Sequence, residues 1–281
     1  MRQMRGVDSG ALPLNEERMA FDMKKLAIAI LISLIIPTAL FAAEKTITVG
    51  VTPFPHKDIM IVVKDLLKKE GYDLKIKEFT DYVTPNTALA EGSLDANFFQ
   101  HVPYLENTNK EKKLDLVWVA KVHIEPLGLY SQKIKKLSEI KNGAQIAIPN
   151  DATNCSRALR LLEKNGLIKV KAGELVTARD ITENPKKVKI KEIEAAQLPR
   201  TLPDVDASVI NTNFAVEAKL IPAKDAIVIE GKDSPYANVI AVRASDRNSP
   251  AVKALVRAAN SKEVKKYIET ELVPKGIVPA F

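Results

Sequence analysis

The chain has 281 residues, of which 46% are hydrophobic and 27% charged, and its formal net charge is +7. This composition is typical of a folded globular protein, and it excludes disordered, fibrous and low-complexity chains. The length allows two lobes, each with its own apolar core. The basic residues are scattered, without interleaved aromatic residues or a nucleic-acid motif, so we expect no nucleic-acid partner.

Residues 23–43 have the layout of a secretory signal peptide, with a basic start, an apolar run over 26–36 and small residues at the end. The apolar run is short for a transmembrane helix. We interpret residues 1–22, which are polar and precede Met23, as an over-extended start. The expected location is therefore the periplasm, reached through the signal peptide.

The mature first half alternates strands and helices. Strand patterns are TITVGV, LKIKEF, DANFF and LDLVWVAKV, and the helices predicted between them span 57–70, Thr84 to Gly92, and 101–113. Strands that alternate with helices predict mostly parallel sheets covered on both faces.

The second half repeats this order. AQIAIPND is followed by a helix with Asn154 as its expected N-cap, then by the strand VKIKEI, a short helix over 195–202, the strand DASVI and a helix from Asn213. The segments ALAEGSLDANFF and QLPRTLPDVDASVI both give a short helix, a turn, Asp-Ala and a buried strand. We interpret the two halves as copies of one architecture, although this similarity is weak and chance is the alternative.

The last part, YANVIAVRAS and the helices from Pro250, is expected to return to the first lobe. The predicted fold is α/β, with lobe 1 formed by 44–126 plus 236–281 and lobe 2 by 127–235. Two hinge crossings, near 125–128 and 233–238, would join the lobes. Ligands of open α/β sheets bind beyond the carboxyl ends of the strands, so we expect a ligand cleft between the lobes.

Several strand-end residues could bind an amino acid in this cleft. Arg157 offers two parallel donors to a carboxylate, and the amides of Asn211 and Asn238 could hold a zwitterion. Tyr82 and one of two adjacent phenylalanines, Phe98 or Phe99, could contact an apolar tail, because alternate strand residues face opposite sides. The alternatives are a surface arginine, asparagines that form turns or caps, and aromatic rings packed in the core.

Two other classes of function are open at this point. Three histidines could give a zinc site, but their spacing matches no metal motif, and His101 is better interpreted as a residue that caps a helix and shapes the pocket. Cys155 beside Ser156 could suggest an enzyme, but no motif supplies a base. We therefore expect no metal, no cofactor and no catalysis. Cys155 is the only cysteine, so no intrachain disulfide can form.

Four strings resemble the methionine-binding NlpA lipoprotein family over nearly the whole mature chain. They are DANFFQHVPYL, IPNDATNCSRALRLL, EAAQLPRTLPDVDASVINTNFA and SPYANVI. The resemblance implies a periplasmic-binding-protein fold, methionine as ligand, no catalysis, and delivery to the membrane permease of a methionine ABC importer. It also implies ligand contacts at the matching positions, which are Tyr82, Phe99, His101, Arg157, Asn211 and Asn238.

One departure from the family pattern concerns the expected signal-peptide junction. Family members usually carry a lipid-linked cysteine there, whereas this chain has Leu40, Phe41, Ala42 and Ala43. We therefore expect a freely diffusing periplasmic monomer; the alternative is a protein held by its uncleaved signal segment.

Overall fold

A computed structural model describes residues 45–231 and 234–281. The interpretations of 1–22 and 23–43 lie outside the described residues. No helix within the described part is long and apolar enough to cross a membrane. The strands are β1 Lys45–Val51, β2 Tyr72–Glu78, β3 Ala96–His101, β4 Leu116–Ile124, β5 Gly128–Tyr130, β6 Gln145–Pro149, β7 Lys169–Val170, β8 Ile181–Glu183, β9 Lys189–Ile193, β10 Ala207–Ile210, β11 Val228–Ile229, β12 Ala237–Arg243 and β13 Val278–Pro279.

Helices connect most of these strands. The α-helices are α1 Asp58–Lys69, α2 Thr84–Ala90, α3 Val102–Lys112, α4 Ala152–Lys164, α5 Thr212–Glu217, α6 Pro222–Asp225, α7 Pro250–Ala259 and α8 Lys262–Tyr267. The short helix predicted over 195–202 is a 3-10 helix, Ala195–Thr201.

Two mixed sheets form the framework. The first has the order β13-β4-β12-β3-β1-β2 and the second β11-β5-β10-β6-β9, while β7 and β8 form a separate pair. The chain therefore leaves the first sheet after β4 and returns to it as β12. The protein is α/β, and the exact lobe boundaries stay a prediction.

The expectation of mostly parallel sheets is wrong. In the first sheet β2 and β3 run parallel to β1, but β12 is antiparallel to both β3 and β4. In the second sheet β5 is antiparallel to β10 and β11. The reason is that β12 in the first sheet and β5 in the second each begin directly after a crossing between the sheets, on the cleft side. They therefore run opposite to the strands whose carboxyl ends lie at the cleft.

The two sheets share one topology. The strand order β2-β1-β3-β12 in the first matches β9-β6-β10-β5 in the second, with the same relative directions. The two similar sequence segments lie at equivalent places, because one ends in β3 and the other in β10. This topology supports the interpretation of two copies of one architecture.

Amphipathic helices cover the sheets. In α1 the residues Ile59, Met60, Val63 and Leu67 are buried in the core of the first sheet, at the spacing of a single helix face. Gly71 has a φ of +79°, a conformation that costs other residues energy, and it ends this helix with a tight turn. Each sheet thus has its own apolar core, and burial of one leucine contributes about 1.5–3 kcal/mol.

The start of α4 differs from the expectation. Its N-cap is Asp151, whose carboxylate accepts the backbone N–H of Asn154 at 2.9 Å. The helix therefore begins one turn earlier than predicted, and Arg157 lies in its second turn. Asparagine and aspartate are both good N-caps, so the sequence left the choice between them open.

Candidate functional site

One cavity lies at the carboxyl ends of strands from both sheets, and the space inside it is about 20 Å³. This is far below the ~300–1,000 Å³ of typical small-molecule sites, so the walls nearly touch and have to move apart to admit a ligand. All six residues predicted as ligand contacts line it. The complete lining is Tyr82, Phe99, Gln100, His101, Tyr104, Glu125, Asn154, Arg157, Asn211, Thr212 and Asn238.

His101 is held by hydrogen bonds on both ring nitrogens. Its Nδ1 accepts the backbone N–H of Tyr104 at 3.1 Å, so its Nε2 carries the proton and donates to Asn154 Oδ1 at 3.1 Å. Burial, together with the nearby charge of Arg157, lowers the pKa of His101 to about 3. His101 is therefore a neutral residue that caps α3, as expected, and it takes no part in a histidine cluster.

Asn211 presents an unused acceptor. Its Nδ2 donates to Asn154 Oδ1 at 3.0 Å, whereas its buried Oδ1 has no hydrogen-bond partner among the described residues. Asn154 is fixed in turn, because its Nδ2 donates to both carboxylate oxygens of Asp151. A buried acceptor without a partner is costly, so Asn211 Oδ1 is suited to a ligand donor.

Asn238 is oriented from the other sheet. Its Oδ1 lies 3.1 Å from Nε2 of His56, and its Nδ2 makes no hydrogen bond within the described part of the chain. A bond from the His56 proton to this oxygen leaves the Asn238 amide nitrogen as a donor at the cavity wall.

Arg157 is buried and already paired. Its Nε donates to Glu230 Oε1 at 3.1 Å, and its Nη2 donates to Glu230 Oε2 and, at 2.8 Å, to the backbone oxygen of Glu125. The guanidinium also lies 4.1 Å from the ring centre of Tyr236. The forked edge therefore faces Glu230, and only Nη1 forms no hydrogen bond with the described residues. This differs from the two free donors expected from the sequence.

Glu230 and Tyr236 are missed by the sequence reasoning. Glu230 immediately follows β11, and Tyr236 immediately precedes β12. Strand-end position was the available signal, but β11 is only two residues long, so its pattern is too short to be recognised.

Aromatic rings form the other wall of the cavity. The centroid of the Tyr82 ring lies 5.0 Å from the ring centroid of Phe214, 5.9 Å from that of Phe99 and 6.0 Å from that of Tyr104. Phe98 faces the opposite side of β3 and packs 4.7 Å from the ring of His56. The prediction that only one of the two adjacent phenylalanines reaches the cleft is confirmed.

Tyr82 also bridges distant parts of the chain. Its hydroxyl donates to Asn213 Oδ1 at 2.6 Å, so a residue that precedes α2 is bound to the first turn of α5. Burial raises the pKa of Tyr82, which keeps the hydroxyl protonated as a donor. The bond therefore links the segment after β2 of the first sheet with the helix after β10 of the second.

A second polar cluster lies behind the cavity. His123 Nε2 lies 2.7 Å from Glu125 Oε1, and His56 Nε2 lies 3.3 Å from the same oxygen. Burial lowers the pKa of His56 to about 4 and that of His123 to about 3. These three residues could hold a metal ion by their spacing. At 2.7 Å, however, the His123 contact has the length of a hydrogen bond to the carboxylate, so a metal would have to displace that proton.

Cys155 lies in α4 and is buried. Burial raises the pKa of its thiol to about 12, so it is protonated at neutral pH and a poor nucleophile. This favours a packing role for Cys155.

The model of the NlpA lipoprotein family matches residues 47–281. The chain belongs to this family. Among curated NlpA-type relatives, the D-methionine-binding lipoprotein MetQ of Salmonella typhimurium (strain LT2) is 48% identical over 223 residues, which cover 78% of this chain and 82% of the relative.

Solved structures agree with the NlpA assignment. A nutrient binding protein from Burkholderia cenocepacia, bound to methionine, has a TM-score of 0.81 and 49% identity, and the match covers 84% of this chain and 100% of that one. A periplasmic substrate-binding protein of an ABC transporter from Coxiella burnetii has a TM-score of 0.80 and 46% identity over 83% of this chain and 100% of that one. The fold is therefore that of periplasmic substrate-binding proteins.

Proposed function

We propose that this NlpA-family protein captures methionine in the cavity between its two sheets and delivers it to the membrane permease of a methionine ABC importer. The proposal draws on a relative that is a D-methionine-binding lipoprotein and on a neighbour bound to methionine. The single observation that carries it for this chain is the cavity lining, which combines one free guanidinium nitrogen, one free amide oxygen and an aromatic wall.

In this proposal the ligand carboxylate accepts from Arg157 Nη1 and from the amide nitrogen of Asn238. The ligand ammonium donates to Asn211 Oδ1, the buried acceptor that lacks a partner among the described residues. Arg157 and Glu230 cancel each other's charge, which suits a ligand with no net charge. His101 acts through Asn154, whose oxygen accepts from both His101 and Asn211.

The thioether tail lies against the rings of Tyr82 and Phe99. Sulfur contacts with aromatic edges contribute about 0.3–1.5 kcal/mol each. An aromatic slot of this kind suits an unbranched apolar tail, because the tail carries no charge that would need a charged partner in the cavity lining.

Native mass spectrometry of the freshly purified protein, followed by calorimetric titration with L- and D-methionine, tests the proposal. We expect a co-purified ligand of methionine mass and saturable binding of at least one enantiomer. A refolded, ligand-free protein that binds neither enantiomer would disprove it. Methionine recovered unchanged after long incubation is the result expected of a binding protein without catalysis.

Export to the periplasm as a freely diffusing monomer is the second part of the proposal. Export is supported by the signal-peptide pattern. The absence of a lipid link is supported by the sequence, in which the single cysteine is the buried Cys155. Osmotic-shock fractionation should place the protein in the periplasmic fraction, and size-exclusion chromatography should give the mass of one chain. Recovery in the detergent phase with the membranes would contradict this part.

A further inference from the structure

We propose that Glu230 determines which ligand charge the cavity accepts: by neutralising Arg157, it makes the site select amino acids with an ammonium group over carboxylates that lack one. This inference rests on the proposed function, since it assumes that Arg157 receives the ligand carboxylate. Glu230 does not line the cavity, whereas ligand specificity is usually determined by residues in direct contact with the ligand.

The ion pair is built as a fixed unit. Both Glu230 oxygens accept from Arg157, and the side chains of Arg157 and Glu230 are only 3% and 17% exposed. Glu230 Oε2 also accepts the backbone N–H of Leu127 at 3.2 Å and the hydroxyl of Ser234 at 3.1 Å. Glu230 thus has little freedom to leave the guanidinium when a ligand arrives.

The pair changes the charge that a ligand meets. A lone buried guanidinium would attract any carboxylate, because opposite charges interact strongly in a site with little water. When Arg157 is paired with Glu230, the positive charge of the guanidinium is already balanced. Arg157 then binds a ligand through hydrogen bonds from Nη1, and its net charge contributes little. A ligand carboxylate therefore needs a positive charge of its own, carried on the same molecule.

Other charges near the cavity act in the same direction. The carboxylate of Glu125 lies at the wall, with one oxygen accepting from His123 at 2.7 Å and the other accepting the Asn213 N–H at 3.0 Å. Asp151 lies behind Asn154 and is bound to its amide. The described surroundings contain one arginine against three carboxyl groups, which disfavours a net anion and favours an ammonium.

The inference predicts a change in ligand preference when the charge of Glu230 is removed. The probes are L-methionine and 4-(methylthio)butanoate, which has the same tail and carboxylate but no ammonium. The quantity measured by calorimetry is the ratio of their dissociation constants. In the parent protein we expect methionine to bind at least 100-fold more tightly than the analogue.

In Glu230→Gln, which keeps the side-chain shape, the ratio is expected to fall at least tenfold, because the analogue gains from the uncompensated guanidinium. Glu163→Gln is the matched control: Glu163 pairs with Arg160 on the same helix at 2.8 Å but lies outside the cavity lining, so its ratio should equal that of the parent. Glu230→Asp retains the charge, so it should keep the parental ratio even if both ligands bind more weakly.

Equal weakening of both ligands in Glu230→Gln, with an unchanged ratio, overturns the inference and leaves Glu230 as a residue that only positions Arg157. If Glu230→Gln does not fold, a tenfold lower ratio in Glu230→Asp overturns it as well. If the parent protein binds methionine but the ratio is the same in the parent and in Glu230→Gln, only this inference fails, and the proposed function stands. A parent protein that does not bind methionine overturns both.

Discussion

Arg157 connects the cavity with both chain segments that cross between the sheets. Its guanidinium donates to the backbone of Glu125, which follows β4, and to Glu230, which follows β11. A ligand that binds Nη1 therefore touches a group that already holds both crossings. This arrangement offers a direct physical route from ligand binding to the two segments that were predicted to act as hinges.

The first prediction concerns Arg157→Ala. This change removes a ligand donor and leaves Glu230 buried without its partner, so methionine affinity should fall by about 3–5 kcal/mol, a factor of roughly 100 to 4,000. Calorimetric titration measures it. Arg160→Ala is the control, because Arg160 lies on the same helix at the surface, and it should change affinity by less than about threefold. Parental affinity in Arg157→Ala would make the carboxylate assignment wrong.

At the scale of elements, the start of α4 supports the site as well as the helix. Asp151 caps α4 and also holds the side chain of Asn154, whose oxygen accepts from Asn211 and His101. One carboxylate therefore sets both where the helix begins and how the polar wall of the cavity is oriented.

The second prediction separates these two roles. Asp151→Ala should lower the free energy of unfolding by about 0.5–2 kcal/mol and should also weaken methionine binding. Ser249→Ala removes the N-cap of α7, because the Ser249 hydroxyl accepts the Val252 N–H at 3.2 Å, and Ser249 is not among the residues that line the cavity. It should lower stability by a similar amount with unchanged affinity. Urea denaturation and calorimetry give both quantities; equal affinities in the two variants would contradict the role of Asp151 in the site.

The third prediction concerns the bond between the segment before α2 and the start of α5. Tyr82→Phe keeps the aromatic wall but removes the donor to Asn213 Oδ1, which is worth about 1 kcal/mol. Because this bond joins two parts of the cavity surroundings, methionine should dissociate about fivefold faster without it, with little change in the association rate. Stopped-flow displacement measures both rates. A change confined to association would show that the bond does not retain the ligand.

At the scale of the whole molecule, three buried histidines link stability to pH. The folded-state pKa is lowered to about 4 for His56 and to about 3 for His101 and His123, mainly by burial. In the unfolded chain these groups titrate near about 6.5. Between these values the unfolded chain binds more protons, so acid favours unfolding. Burial raises the pKa of Glu125 and Asp151, which opposes part of this effect.

The fourth prediction follows from that linkage. The free energy of unfolding should change little between pH 8 and 7 and should fall as the pH drops from about 6.5 toward 4, by up to about 1.4 kcal/mol per pH unit for each histidine. Urea denaturation at pH 7.5, 6.0 and 5.0 measures the slope. His101→Asn removes one of the three groups and should give a shallower slope. Constant stability from pH 7.5 to 5.0 would contradict the linkage.

Local patterns in the sequence determined the α/β class, the order of most strands and helices and the division of Phe98 and Phe99 between core and cavity. These features depend on residues within a few positions of each other, where hydrophobic periodicity and capping residues act. The six candidate contacts lie at or near strand ends, which meet at the cleft in such folds, and the resemblance to the NlpA family selected them, with Phe99 rather than Phe98.

The tertiary structure alone decided the direction of β12, the pairing of Arg157 with Glu230 and the cluster of His56, His123 and Glu125. Arg157 and Glu230 are 73 positions apart. Their contact depends on how β11 and the return crossing pack beside α4, and no local pattern encodes that packing. Charge balance inside a cavity is a property of side chains brought together by the fold, so it became visible only in three dimensions.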